Sequence, residues 1–213
     1  MRGGPVTTEL RALLVLVGLI AALTGCRKEK QEPALTKPVA AKVTGWQHAK
    51  WGMTPSQVKE AYPDVSCKEG ELSCTLASFD VAGATAQIVF AFADDRLASV
   101  IVAFRAVPGG VLGLLSHFDD LVSRLADKYG PPDGNKERLW KNRPDKPNPE
   151  KWADELVDGN LSFWTDWASL EEGTINLTLG TYEQALTVVL IYQSKEYGPR
   201  LKELERAARI SDL

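Results

Sequence analysis

Three runs of alternating residues, Leu72 to Phe79, Ala84 to Phe92 and Leu97 to Phe104, constrain this chain more than any other feature. Successive side chains of a strand point to opposite sides, so a period of two marks a strand with one buried face. In the second run Ala86, Ile88, Phe90 and Phe92 share a face. In the third, Leu97, Ser99, Ile101 and Ala103 alternate with Val100, Val102 and Phe104. Asp94-Asp95 supplies a turn between them, and the three runs predict an antiparallel meander. The pattern returns 89 residues later, where Leu72-Ser73 meets Leu161-Ser162. The same shift pairs Ala86, Ile88 and Phe90 with Ile175, Leu177 and Leu179, and Leu97 and Val100 with Leu186 and Val189. Few residues are identical; the matching period carries the repeat.

A helix precedes each meander. Thr54 fits an N-cap, Pro55 the first helical position and Gln57 the third, which makes a capping box. Met53 and Val58 occupy the positions of a hydrophobic staple, and Pro63 stops the helix after Tyr62. Trp51 is expected to pack against this helix as core. The second helix carries Leu114, Phe118, Leu121, Val122, Leu125 and Tyr129 at three- and four-residue steps, with Ser116 as a possible later cap. Gly130 and Pro131-Pro132 end it. A last amphipathic helix, Pro199 to Ile210, places Leu201, Leu204 and Ala208 on one face. The expected fold is α+β: two helix-plus-antiparallel-meander repeats forming one sheet, with helices packed on one face and the other left for water or a partner. The first unit spans 45–105, the second 106–198 and the C-terminal helix 199–213.

The second unit differs by a charged insertion, 133–160, of a length and composition typical of functional or disordered loops. Its Trp140 and Trp152 favour partial order. Trp164 and Trp167 differ by three positions in one strand, so one of them faces outward. Trp164 matches Thr75 under the repeat and is expected to be the outward one. With Trp140 and Trp152 it makes a candidate binding surface, unless one of those two folds back to cover it.

The N-terminus predicts export. Arg2 and Arg11 precede an apolar run from Ala12 to Leu23, too short for the ~20 residues of a spanning helix but suited to a secretory signal in 1–25. The run ends in Leu23-Thr24-Gly25-Cys26, which resembles the lipobox of bacterial lipoproteins. That resemblance implies cleavage between Gly25 and Cys26, a diacylglycerol thioether on Cys26 and acylation of the new amino group, and two or more acyl chains give stable anchoring. Arg27 in place of aspartate implies the outer membrane under the enterobacterial sorting rule. The lipidated cysteine and flexible tether take up 26–44. The tether, polar with two prolines, behaves as a coil spanning about 25 Å.

Two cysteines remain, Cys67 and Cys74, around a turn at Gly70. In an oxidising compartment they predict a structural disulfide. Two thiolates without a nearby histidine make a poor zinc site, and the spacing is not C-x-x-C. The precursor carries a net charge of −3; Arg2, Arg11 and Glu9 sum to +1, leaving −4 on the exported part. Such a chain lacks the clustered Lys and Arg that nucleic acid requires. The sequence contains no P-loop, dinucleotide fingerprint, H-E-x-x-H or G-x-S-x-G motif. Ser116 and His117 are adjacent on a helix and point to different faces, so Ser116, His117 and Asp119 make no triad. Neither catalysis nor a cofactor or metal is expected.

Trp51-Gly52-Met53-Thr54 with Val58, Tyr62 and Pro63, and later Lys128-Tyr129-Gly130-Pro131, resemble a helix-plus-meander module. It is known from the small lipoprotein of the outer-membrane β-barrel assembly machine (the BamE or SmpA type) and from the tandem β-lactamase inhibitor protein (BLIP-like). The resemblance implies protein binding and no catalysis. The duplication and the charged insertion depart from the single short module of the assembly lipoprotein, so its specific role is not carried over. The expected function is a membrane-anchored envelope protein that binds or scaffolds another protein from the outer membrane, facing the periplasm. The alternative is a carrier of a lipid or small apolar ligand.

Overall fold

The structure is a computed structural model that describes residues 41–68, 71–105, 107–134, 137–142, 148–182 and 185–211. The signal segment, Gly25 and Cys26 lie outside the described residues, as does Gly70, at which the sequence predicts a turn.

The described residues form an α+β fold with four α-helices, a two-stranded hairpin and an eight-stranded antiparallel sheet. The hairpin is β1 (Gly45–Trp46) with β2 (Ala49–Lys50), followed by α1 (Pro55–Ala61). Thr54 and Gln57 close the capping box reciprocally, and Tyr62 is the C-cap. Gly52, just ahead, sits at φ 77°, and a Cβ there would come within 3.0 Å of the Tyr197 hydroxyl. Its N–H donates to the Leu97 carbonyl, and the Leu97 N–H donates to Met53, which pins the helix start to the sheet.

The sheet contains β3 (Ser66–Cys67), β4 (Ser73–Val81), β5 (Ala84–Ala93), β6 (Arg96–Phe104), β7 (Glu137–Trp140), β8 (Leu161–Trp167), β9 (Gly173–Tyr182) and β10 (Ala185–Ser194). Their spatial order is β3-β4-β5-β6-β10-β9-β8-β7. Two meanders therefore meet through the antiparallel pairing of β6 with β10. Cross-strand partners share a face, and one face carries rows of buried residues running across the sheet. One row is Trp167, Ile175, Tyr192, Val100, Phe90 and Cys74; the next is Thr165, Leu177, Leu190, Val102, Ile88 and Leu76. Packed with these rows in one core are Val58 of α1, Leu114, Phe118, Leu121 and Leu125 of α2 (Gly110–Tyr129), and Leu156 of α3 (Trp152–Val157). On the opposite face Leu201 of α4 (Gly198–Ser211) packs against Ala91, Ala93 and Ala98. Leu204 is half-buried on that contact and Ala208 is exposed.

Several expectations need correction. β6 carries one extra residue relative to β5, because Ala91 opposes Ser99 while Phe92 opposes Leu97. This bulge turns Leu97 onto the core face with Val100, and not with Ser99 and Ile101 as strict alternation requires. β10 pairs with β9 without a register shift, so Val188 is buried on the core face and Val189 lies on the other. The second helix starts at Gly110, which puts Ser116 in its interior and leaves it no capping role. Trp51 packs half-buried against the core as expected and donates its indole N–H to the Val43 carbonyl, while the more deeply buried tryptophan near α1 is Trp46, 5% exposed. Val43, within the stretch whose composition reads as tether, is buried, and its N–H bonds the Glu171 carbonyl. The insertion is built into the body through β7, paired with β8, and through α3.

Candidate functional site

The face of the sheet opposite the main core is the first candidate. Two rows cross it. One runs Glu137, Trp164, Thr178, Val189, Ala103 and Gln87; the other runs Asp166, Asn176, Ile191, Ile101, Val89 and Thr75. At their centre Val89, Ile101, Ala103, Val189 and Ile191 form an apolar patch, each residue half-buried. Central strands supply it because both of their faces are apolar. The runs Ala84 to Phe92 and Leu97 to Phe104 carry Val89 and Ile101 between their core residues, a signal visible in the sequence. Beside the patch, Ala77, Thr85, Gln87, Ala103 and Arg105 line an open depression of about 480 Å³. On this face α4 packs over Ala91, Ala93 and Ala98.

The three tryptophans of the expected surface are not brought together. Trp164 lies on the outer face, half-buried, between Glu137 and Thr178. Trp167, three residues on, is buried on the core face, where its indole N–H donates to the Gly130 carbonyl at 2.8 Å. Trp140 pairs with buried Leu161, and Trp152 packs edge-on against Phe163 at 5.5 Å, so both belong to the core side. Arg138 stacks over the Trp152 ring at 4.9 Å. Neither tryptophan of the insertion covers Trp164.

Charge near Trp164 is acidic. Burial, and then the neighbouring Asp133 and Glu137, raise the Asp166 carboxyl above the usual carboxylate range. Asp133 is held below that range by the hydroxyl and the backbone N–H of Ser169. The patch is thus neutral at its centre and negative at the β8 end.

A second candidate lies at the β4 edge. Trp46, Tyr62, Phe79 and Phe90 form an aromatic cluster with ring centroids 5.1–6.2 Å apart. Above it a cleft of about 300 Å³ opens between Gln47, His48, Tyr62, Asp64, Ser78 and Phe79. The His48 N–H donates to the Tyr62 hydroxyl at 3.2 Å, and burial raises the phenol above its ordinary value. Sequence reading missed this cleft: the hairpin that brings Trp46 and His48 to Tyr62 has strands of only two residues, too short for periodicity to reveal.

Cys67 and Cys74 lie at disulfide distance, directly opposed on β3 and β4 with Cα atoms 4.2 Å apart. His117 stands outside both candidates. Its ring meets Phe104 edge-on at 4.6 Å, and burial lowers its imidazole below the usual value. Among the described residues no three His, Cys, Asp or Glu side chains converge as a metal site requires. Comparison with family models, with curated proteins and with solved structures finds no match.

Proposed function

We propose that this chain is a bacterial lipoprotein, held by acyl groups on Cys26 in the outer membrane and facing the periplasm, and that its open sheet face binds another envelope protein. The observation that carries the binding half is the apolar patch of Val89, Ile101, Ala103, Val189 and Ile191, flanked by Trp164. Interfaces of this kind combine a charge-free centre with aromatic anchors at a polar margin. Glu137, Asp166 and Asp133 give that margin a negative sign, which favours a partner basic at the corresponding position. The anchor rests on residues 12–26 of the sequence and is independent of the patch.

In the same reading the sheet arose by duplication of a helix–meander unit, α1 with β4–β6 and α2 with β8–β10. Ala86, Ile88, Phe90 and Leu97 match Ile175, Leu177, Leu179 and Leu186 at a shift of 89 and all pack on the core face. The bulge at Ala98 accounts for the loss of that shift beyond Leu97. Duplication supports a binding role because it widens one sheet beyond what a single meander offers a partner.

Two measurements test the two halves separately. Intact mass of the chain expressed in a diderm bacterium should show loss of 1–25 and a diacylglyceryl group on Cys26; a bare thiol or a retained leader removes the anchor. For binding, the full chain is captured from detergent-solubilised envelopes and compared with the double variant Val189→Glu, Ile191→Glu. Loss of a co-captured basic protein with unchanged thermal stability is expected. Equal capture by both forms removes the sheet face as the binding surface.

A further inference from the structure

The β4 edge offers a surface of a different kind. β3 covers only Cys74 and Thr75 of the nine-residue strand β4. From Leu76 to Val81 nothing among the described residues pairs with its outer side. Alternate residues of this stretch turn backbone N–H and C=O groups away from β5, over about 20 Å. The opposed pair Cys67 and Cys74 fixes β3 in place and so defines where the open edge begins. Directly beside the edge lies the cleft over the aromatic cluster, shared by Ser78 and Phe79 of β4 and by Tyr62, Asp64 and His48. Its volume, about 300 Å³, is at the low end for ligand sites and suits one or two side chains.

We propose that this edge binds an extended peptide segment that adds a strand to β4, seats a bulky apolar side chain in the Tyr62–Phe79 cleft and carries a basic residue beside it. Strand addition combines main-chain hydrogen bonds for affinity with pockets for alternate side chains for selectivity, and both parts are present. The basic residue follows from charge. Asp64 and Asp80 are exposed along the edge, and neither Lys nor Arg occurs in Tyr62–Cys67 or Leu76–Val81. A second copy offers this edge no cation, because its own Leu76–Val81 stretch carries Asp80 and neither Lys nor Arg. The bulge between Leu76 and Phe79, together with Asp80, deters indiscriminate pairing and leaves a basic strand as the matched one. This surface is independent of the sheet-face patch and of the lipid on Cys26.

The test uses hydrogen–deuterium exchange of the full chain in non-ionic detergent, with the capped octapeptide Thr-Lys-Thr-Phe-Thr-Lys-Thr-Val as probe. Saturable slowing of exchange in 76–81, about fivefold or more, is expected. A version N-methylated at alternate residues should lose the effect, and a version with Glu in place of Lys should bind about tenfold more weakly. Ser78→Pro should abolish protection with the fold intact, because Ser78 lies in the bulge and opposes no β5 residue. Asp80→Lys should reverse the preference between the Lys and Glu peptides. Protection spread evenly over the chain, protection that survives N-methylation, or an unchanged preference in Asp80→Lys overturns the proposal. Protection of 76–81 that rises with protein concentration in the absence of peptide assigns the edge to a second copy and overturns it equally.

Discussion

At one end the sheet stops in β3, two residues opposed to β4 at Cys67 and Cys74, with most of the β4 edge left open. At the other end it stops in β7, four residues from the insertion, with α3 behind it placing Leu156 at 0% exposure and Trp152 against Phe163. The halves also differ inside. β4 and β5–β6 each carry a register shift, whereas β8, β9 and β10 pair without one. The first half thus closes with a covalent staple and bulges, the second with added secondary structure and added apolar burial. A staple acts mainly on the unfolded chain, while burial acts on the folded one, so the two ends respond differently to perturbation.

The strongest challenge to this comparison asks whether the halves are separate at all. Phe90 and Phe163 sit at 0% exposure in one continuous core, in the first and second meander respectively. Phe90→Ala and Phe163→Ala should each cost about 3–5 kcal/mol, in a single urea transition seen alike by tryptophan fluorescence and circular dichroism. Two resolved transitions would make the meanders independent folding units. Next in size, Leu156→Ala should cost about 3 kcal/mol by the same measurement, because the insertion holds the β8 end through that side chain. Reduction of the Cys67–Cys74 pair should cost less, about 2.5 kcal/mol, since the loop it closes is short. If reduction proved the costlier change, the ranking of the two ends would be reversed and the insertion demoted to a surface loop.

These differences were unequally visible in the sequence. The start of α1 was legible to the residue because Thr54, Pro55 and Gln57 act locally, and a cap needs no distant partner. The strands of both meanders were legible because one buried face imposes a period of two. The bulge at Ala98 was not, since alanine fits either face and only pairing with β5 reveals the extra residue. β7 was hidden for a related reason: Glu137-Arg138-Leu139-Trp140 carries edge chemistry, with no apolar alternation to betray a strand. The three-residue spacing of Trp164 and Trp167 says only that one of them faces outward, and the match of Trp164 to Thr75 picks which; its relation to Trp140 and Trp152 depends on which face the insertion returns to, a tertiary fact. The cleft at Tyr62 depended on the Trp46 hairpin in the same way.

The smallest expected effect concerns the seam between the halves. His117 belongs to α2, which leads into the second half, and its ring rests on Phe104 of β6 in the first. Its Nε2 is buried without a hydrogen-bond partner among the described residues. Burial lowers the imidazole below its ordinary value of 6.5; the Asp120 charge opposes that shift and the Arg124 charge adds to it. The folded state therefore prefers the neutral ring. As pH falls through 6.5 the unfolded chain takes up the proton first, so stability present above that value is lost until the folded ring also protonates. His117→Phe keeps an aromatic contact with Phe104 and removes the titration. Between about pH 8 and pH 5 the melting temperature of the parent should fall relative to this variant, and the divergence should begin near 6.5. Parallel curves would mean that the seam opens enough to solvate the ring. In that case the helix of the second unit would be more loosely joined to the first half than the edge-on packing of His117 against Phe104 implies.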